Sequence, residues 1–415
     1  MGKTGRICIA LLLTLSGLFC YADSIPDVKA IETALVNKGY ENITIFTQAD
    51  TLFVGAENRL YRWDPRAYAD MIRLIMPFTG RNATVCLAVL LRGIPMVLIT
   101  LPKRIWVDGM NGIPARDTLS SLMQTSLNIS RIQQKQFRKT GSNASFNKID
   151  LVVYPQVKIQ LGNLDDPFKS QFNIAPAFEI TFLRGMSLMA QVIIPLQNDL
   201  EIHGNSVRPG LITLSQTIRL PHNFFSVVTA GYFTRNRYGF NAEVRKFFLN
   251  GKITLGFNGG LTGYAELIDQ QWNYTGINLF SWFADAAYRW ARYDLTIKAG
   301  YGNFLNGGSG WRMDVYRQFR EITIGFFALE TAGFLNGGFY FRIPLPPGRY
   351  STKHAVRIRP ESYFSWEYRA RGMSEAGRAY STGNSFSDLF NNLNPDYLKQ
   401  NVINELLMFR TTHNP

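Results

Sequence analysis

The side chains best suited to chemistry at neutral pH are few in this sequence: His203, His222, His354 and His413, and the cysteines Cys8, Cys20 and Cys86. No histidine pair has the His-Glu-x-x-His spacing that puts two imidazoles and a base on one helix face. No Gly-x-Ser-x-Gly elbow or cysteine-pair motif occurs. His203 or His222 could serve a serine as general base, but no nucleophile is paired with either, so a loop histidine is the plainer reading. Cys86 sits between Val85 and Leu87 and reads as a buried, inert thiol. The sequence therefore supplies no catalytic residue, metal site or cofactor site, and an enzyme is not expected.

Charged residues with an informative position are those on the polar phase of alternating runs: Glu179, Arg219, Arg245, Asp285, Arg289, Lys298, Glu321 and Arg342. Arg235 and Arg237 fall close to a strand end. Side chains of a strand point to opposite faces in turn. From Ile149 onward such runs repeat. Leu151, Val153, Val157 and Ile159 alternate with Tyr154, Gln156 and Lys158, and Ile212, Leu214 and Ile218 alternate with Thr213, Ser215 and Thr217. Trp282, Ala284, Ala286 and Tyr288 oppose Ser281 and Asp285, and Ile322, Ile324 and Phe326 oppose Thr323. Each run has about the nine to eleven residues that a tilted membrane strand needs.

These runs predict a mainly β fold over 149–345: a single antiparallel transmembrane β-barrel of about twelve strands, with fourteen as the upper count. Closure would satisfy every backbone donor and acceptor within lipid, which an open sheet cannot do. A soluble β-sandwich also alternates. Against it stand the export signal, the uniformly apolar outward faces and short connections such as Arg184-Gly185 and Leu249-Asn250-Gly251. The eight inward charges are candidate lumen-lining residues. They could form ordinary bracing salt bridges or a basic, polar path whose side chains set selectivity.

Residues 1–22 read as a signal peptide, with Lys3 and Arg6 as charged n-region, Ile7–Leu18 as apolar h-region and cleavage after Ala22. Lipidation at Cys20 is the competing reading, disfavoured by Phe19 before it. Residues 23–105 predict a small periplasmic α/β domain of order αββαββ: a helix over 27–39, strands at 42–47 and 51–54, a helix over 65–76 with Asp64 as N-cap, and a hairpin of strands 84–91 and 94–100. Arg92-Gly93 and Pro95 interrupt that last apolar stretch, which argues against a membrane helix. Residues 106–148 predict a linker with room for a helix within 118–136. Residues 346–415 predict a C-terminal tail returning to the periplasm, with one short strand at 363–369 and a helix at 396–409.

Hydrophobic residues make up 46% of the chain and charged ones 18%, which excludes disorder. The net charge is +14, or +12 without Lys3 and Arg6. That balance suits outer-membrane lipids or an anionic polymer; nucleic acid is disfavoured by the export signal and the lack of a recognisable module.

Several segments carry a family resemblance. Gly39-Tyr40-Glu41-Asn42 is followed by Glu57-Asn58-Arg59-Leu60-Tyr61-Arg62. Further on come Arg208-Pro209-Gly210, then Phe233 to Gly239 with Arg237, Tyr238 and Gly239, then Phe339–Leu345, and finally Trp366 with Glu367, Tyr368 and Arg369. In this order, across about 30–370, they resemble YjbH-like (GfcD-like) proteins. The resemblance implies an outer-membrane protein of exopolysaccharide or capsule secretion in a Gram-negative cell. It also implies a periplasmic partner protein and a small lipoprotein of the same export system, and an anionic or neutral polysaccharide as cargo. Long family members carry two barrels, whereas this chain has room for one. The alternatives from other classes are a porin for small solutes and a structural barrel whose periplasmic domain docks partners. An empty lumen would favour transport; a filled one, anchoring.

Overall fold

A computed structural model describes residues 26–79, 84–102, 115–139, 141–146, 148–161, 168–201, 204–305, 308–352, 354–371 and 376–411. The expectations for the leader, Cys20, His203 and His413 lie outside these residues. Among the described residues the chain is mainly β, with 58% strand and 19% helix. Its strands form two sheets.

The smaller sheet is built first. Helix α1 (Val28–Lys38) starts on the Asp27 side chain, which accepts from the Ala30 N–H, and stops at Gly39 with φ of 107°. Strands β1 (Glu41–Gln48) and β2 (Thr51–Glu57) follow, then α2 (Asp64–Ile75), β3 (Thr84–Leu91) and β4 (Ile94–Pro102). Asp64 is not the N-cap of α2. Trp63 holds that position, Asp64 is the first helical residue before Pro65, and its carboxylate accepts instead from Asn58. The segment expected to be a linker contributes ordered structure over 116–137: α3 (Arg116–Leu122), the edge strand β5 (Gln124–Ser126) and α4 (Arg131–Phe137), which Ser130 and Gln133 cap reciprocally. The order across the sheet is β1-β2-β3-β4-β5, with β2 and β3 parallel. Alternation within β2 and β3 divides its side chains. Phe53, Cys86 and Leu90 pack with Phe137 of α4, while Leu52, Val54, Val85 and Leu87 pack beneath α1 and α2.

The larger sheet contains β6 (Ile149–Leu161), β7 (Phe168–Leu183), β8 (Met186–Asn198), β9 (Arg208–Leu220), β10 (Phe224–Phe233), β11 (Arg237–Phe248) and β12 (Ile253–Ile268). The short β13 (Gln271–Tyr274) pairs only with β12. Then come β14 (Leu279–Trp290), β15 (Leu295–Asn303), β16 (Ser309–Phe319), β17 (Ile322–Thr331) and β18 (Phe334–Pro344). Successive long strands pair antiparallel throughout. The last segment, β19 (Val356–Pro360) and β20 (Tyr363–Arg369), divides its pairing. β19 runs parallel to β6 and β20 antiparallel to β18, so one stretch of chain covers both edges of the sheet.

Burial follows the alternation. In β9, Thr213, Ser215, Thr217 and Arg219 are buried while Ile212, Leu214, Ile218 and Leu220 are exposed. In β17 the exposed residues are Ile322, Ile324 and Phe326. The apolar set is thus the exposed one and the polar set the buried one, the reverse of a sheet that packs its apolar face on a core.

Hairpin turns at one end of the large sheet rest on the small sheet. The Gly185 N–H donates to Arg92 O, Asn250 exchanges hydrogen bonds with Thr125 and Leu127, and Asn223 donates to Asn128. After β20 the chain continues through α5 (Phe386–Leu393) into α6 (Pro395–Thr411), which packs on α2 and α3. One apolar core therefore joins Leu398, Val402 and Leu406 of α6, the inner face of the small sheet, and Phe225, Val227 and Phe247 of the large sheet.

Candidate functional site

The polar face of the large sheet lines a cavity of about 1020 Å3. Its most buried charges are a row across three strands. Arg245 on β11 and Asp285 on β14 are both paired with Gly256 of β12. Because Gly256 has no side chain, the guanidinium spans it and meets the Asp285 carboxylate through two hydrogen bonds of 2.9 and 3.0 Å. A Cβ at Gly256 would lie 2.5 Å from an Arg245 nitrogen. Glu243 takes the Arg245 Nε at 2.6 Å, and Lys298 approaches Asp285 at 3.8 Å. Arg289 pairs with Asp294 at 2.8 Å and lies 5.5 Å from the Tyr397 ring centre. On the opposite wall Arg312 joins Asp314 and Glu367, and Glu367 also accepts from Arg369. Arg342 lies 3.9 Å over the Tyr363 ring.

The tail does not simply leave at one end. Residues 376–394 run along the inside of the sheet. Leu305 N donates to Arg378 O near the far turns, and Ser381 N to Thr234. The Tyr380 hydroxyl donates to Asn241 at 2.8 Å, and its ring stacks on Phe233 at 5.2 Å. Asn384 contacts Ser215 and Arg92, and the Glu243 carboxylate accepts from the Phe386 N–H at 2.7 Å. The Phe386 ring stacks on Phe225. Asn394 reaches Gly251 O at the near turns, where α6 begins. The interior is thus partly filled by the protein's own chain.

Of the eight charges expected to line a lumen, Arg245, Asp285, Arg289, Lys298 and Arg342 line the main cavity. The other three do not. Glu179 lines a separate pocket of about 140 Å3 and accepts from Tyr154 and Arg359. Arg219 points at the small sheet, donating to the carbonyls of Pro95, Met96 and Leu127. Glu321 lies in a turn and binds Arg62. All three meet groups from sequence-distant segments, which alternation does not reveal. Glu243 and Arg312 were missed, although both lie on the polar phase of their strands.

The motif residues divide between joints and wall. Glu57 is buried, and its carboxylate accepts from Asn42 and the Gly93 N–H and pairs with Arg59. Asn58 closes the following turn by accepting from the Leu60 and Tyr61 N–H groups and donating to Tyr61 O and Asp64. The Tyr61 ring is flanked by Arg66 and Arg349. Arg62 donates to Glu321 and to Leu345 O. Arg237, Tyr238 and Gly239 open β11; Arg237 lies over Tyr264, and Gly239 has φ of 143°. On β20, Glu367 and Arg369 point inward while Tyr368 packs outside against Phe339.

Burial pushes the Asp64 carboxyl up to about 6, against the hydrogen bond from Asn58. Burial and neighbouring Arg59 bring Arg92 down to about 10. The Cys86 thiol is pushed up by burial, the opposite of what an active thiolate needs. His222 and His354 are exposed. Among the described residues no helix is long and apolar enough to cross a membrane, and no three His, Cys, Asp or Glu side chains gather as metal ligands. Comparison with models of known protein families and with characterised protein sequences finds no match.

Proposed function

We propose that the large sheet is a transmembrane β-barrel in the outer membrane, closed by the 356–369 segment, that takes part in exopolysaccharide or capsule secretion or assembly. The small sheet and α6 lie on the periplasmic side and present a platform for a periplasmic protein and a small lipoprotein. The apolar outer face, with Phe240, Phe257, Phe326 and Leu335 between 45% and 65% exposed, supports the membrane setting.

The observation that carries the choice among functions is the filled interior. A general porin needs a water-filled lumen, and segment 376–394 with the small sheet at one end argues against one. The reading is therefore a docking barrel that holds partners and polymer of the secretion system, the polymer passing through or near the polar cavity left beside the inner segment. Of the motif residues, Arg62 and Arg59 sit where the two sheets join, Arg62 on Glu321 and Leu345 O and Arg59 near Asp150.

Deletion of the gene with measurement of cell-surface polysaccharide tests this, alongside membrane fractionation of the tagged protein. Loss of surface polysaccharide with an outer-membrane location is expected. Unchanged polysaccharide with lost uptake of small solutes would return the porin reading.

A further inference from the structure

The inner segment leans on β9 to β12 through Tyr380, Asn384 and Phe386 and touches β16 at one end, where Asn391 accepts from Tyr316 and Asn392 from Gln318, so that part of the wall of β14 to β20 and β6 faces the cavity. Ten basic and five acidic side chains line that space, so its lining is basic overall. Most of the basic groups are neutralised by carboxylates, as Arg245, Arg289, Arg312 and Arg369 are. Arg342 differs. Among the described residues no carboxylate lies within 4 Å of it, Glu361 and Asp64 feeling its charge only from farther off, and its guanidinium rests on the face of Tyr363. The Tyr363 residue is 6% exposed and its hydroxyl is without a hydrogen-bond partner. Tyr340, an inner residue of the neighbouring strand, places a second ring on the same wall, 6.4 Å from Tyr316.

We propose that this wall binds an anionic saccharide, with a sugar carboxylate on Arg342, which the buried Tyr363 ring supports from behind, and a sugar face against the Tyr340 ring. A planar guanidinium fits a carboxylate through two parallel hydrogen bonds. Lying over an aromatic face leaves its N–H edge available to do so. Aromatic rings match the apolar faces of a pyranose, and a volume of about 1020 Å3 accommodates a short oligosaccharide. The inference rests on the polysaccharide reading and sharpens it: the cargo carries carboxylates, and its contact surface is the part of β18 that faces the cavity.

Isothermal titration of the full chain in detergent micelles, with trigalacturonate and with maltotriose as probes, tests it. Trigalacturonate should bind at least tenfold more tightly than maltotriose, and its affinity should fall with added salt. Arg342→Gln should weaken trigalacturonate about tenfold or more, and Arg342→Lys should recover part of the loss. Equal affinity for the two sugars, binding of neither, or an unaffected R342Q overturns the proposal. Unchanged heat-dependent migration on gels shows that R342Q is folded; should it not fold, Tyr340→Ala is read in its place with the same expectation. Absent binding, with surface polysaccharide still lost on deletion, overturns this inference alone. Normal surface polysaccharide on deletion overturns the proposed function whatever the titration gives.

Discussion

A single methyl group at Gly260 is expected to lift the inner segment off its wall. A Cβ there would lie 1.7 Å from the Tyr380 hydroxyl, with Phe240 O at 2.9 Å and Asn241 at 3.0 Å behind it. Backbone and strand pairing fix Gly260 opposite Ser281 and Asn241, so Tyr380 is the part that yields. Moving it breaks its hydrogen bond to Asn241 and its stack on Phe233. A net hydrogen bond contributes about 0.5–1.5 kcal/mol and an aromatic pair a similar amount, so Gly260→Ala should destabilise the seated segment by about 1–3 kcal/mol. The population with the segment lifted then rises roughly five- to 150-fold. Thr382, 8% exposed, gives the reporter: Thr382→Cys in a Cys86→Ser background reacts with a hydrophilic maleimide only when the segment leaves. The labelling rate should rise by that factor in G260A. Adding Tyr380→Phe removes the clashing hydroxyl, so the double variant should label at the rate of Tyr380→Phe alone. If G260A labels like the parent while its heat-dependent migration shows an intact sheet, the seating of Tyr380 in the Gly260 notch is not what holds the segment.

Three other outcomes follow from contacts already described. Glu243→Ala removes the carboxylate shared by Arg245 and the Phe386 N–H, both buried, and should destabilise the fold by about 3 kcal/mol, read as a lower heat-unfolding temperature in micelles. The raised Asp64 pKa means that the folded state holds that proton more tightly than the unfolded one. Its contribution is fully present below about pH 4 and is lost as pH rises through about 6. Asp64→Asn, which keeps an acceptor for Asn58, should therefore match the parent at pH 4 and exceed it at pH 7 by up to about 2–3 kcal/mol in denaturant titrations. Arg62→Ala breaks the clamp to Glu321 and Leu345 O and should speed proteolysis of the 26–79 region; a double cycle with Glu321→Gln should give coupling of about 1–3 kcal/mol.

The alternation is legible where it is local: Thr213, Ser215 and Thr217 of β9 are each polar beside an apolar, exposed neighbour, whereas the buried Phe327 and Leu329 of β17 are themselves apolar and are not announced in this way. The hairpins at Arg184-Gly185 and Leu249-Asn250-Gly251 are legible too, where positive φ at Gly185, Leu249, Asn250 and Gly251 turns the chain. The inner segment was not legible. Tyr380 meets Asn241 and Phe386 meets Glu243 across some 140 residues, and nothing in 376–394 alternates. One signal was present. Gly256 and Gly260 both occupy the polar phase of β12, where an inward glycine leaves room for something from elsewhere. At the first it is the Arg245–Asp285 pair, at the second Tyr380. Arg219 illustrates the limit of the face assignment. It is buried with the rest of the polar phase of β9, but its partners are carbonyls of the small sheet, and no periodicity announces a contact with a separate sheet.

The divided strand at 356–369 has a consequence for how the molecule comes together. Twelve long strands precede it in the chain, and until it arrives the free edges of β6 and β18 have no partner. Pairing of both edges is therefore left to residues that follow all twelve strands, and the stretch after them, 376–394, is the one that lies along the polar face. A chain cut short before Val356 would be a sheet with two adhesive margins and an empty middle, a target for aggregation or proteolysis. Pairing of the two sheet edges and placement of 376–394 along the polar face are thus consecutive events along the chain.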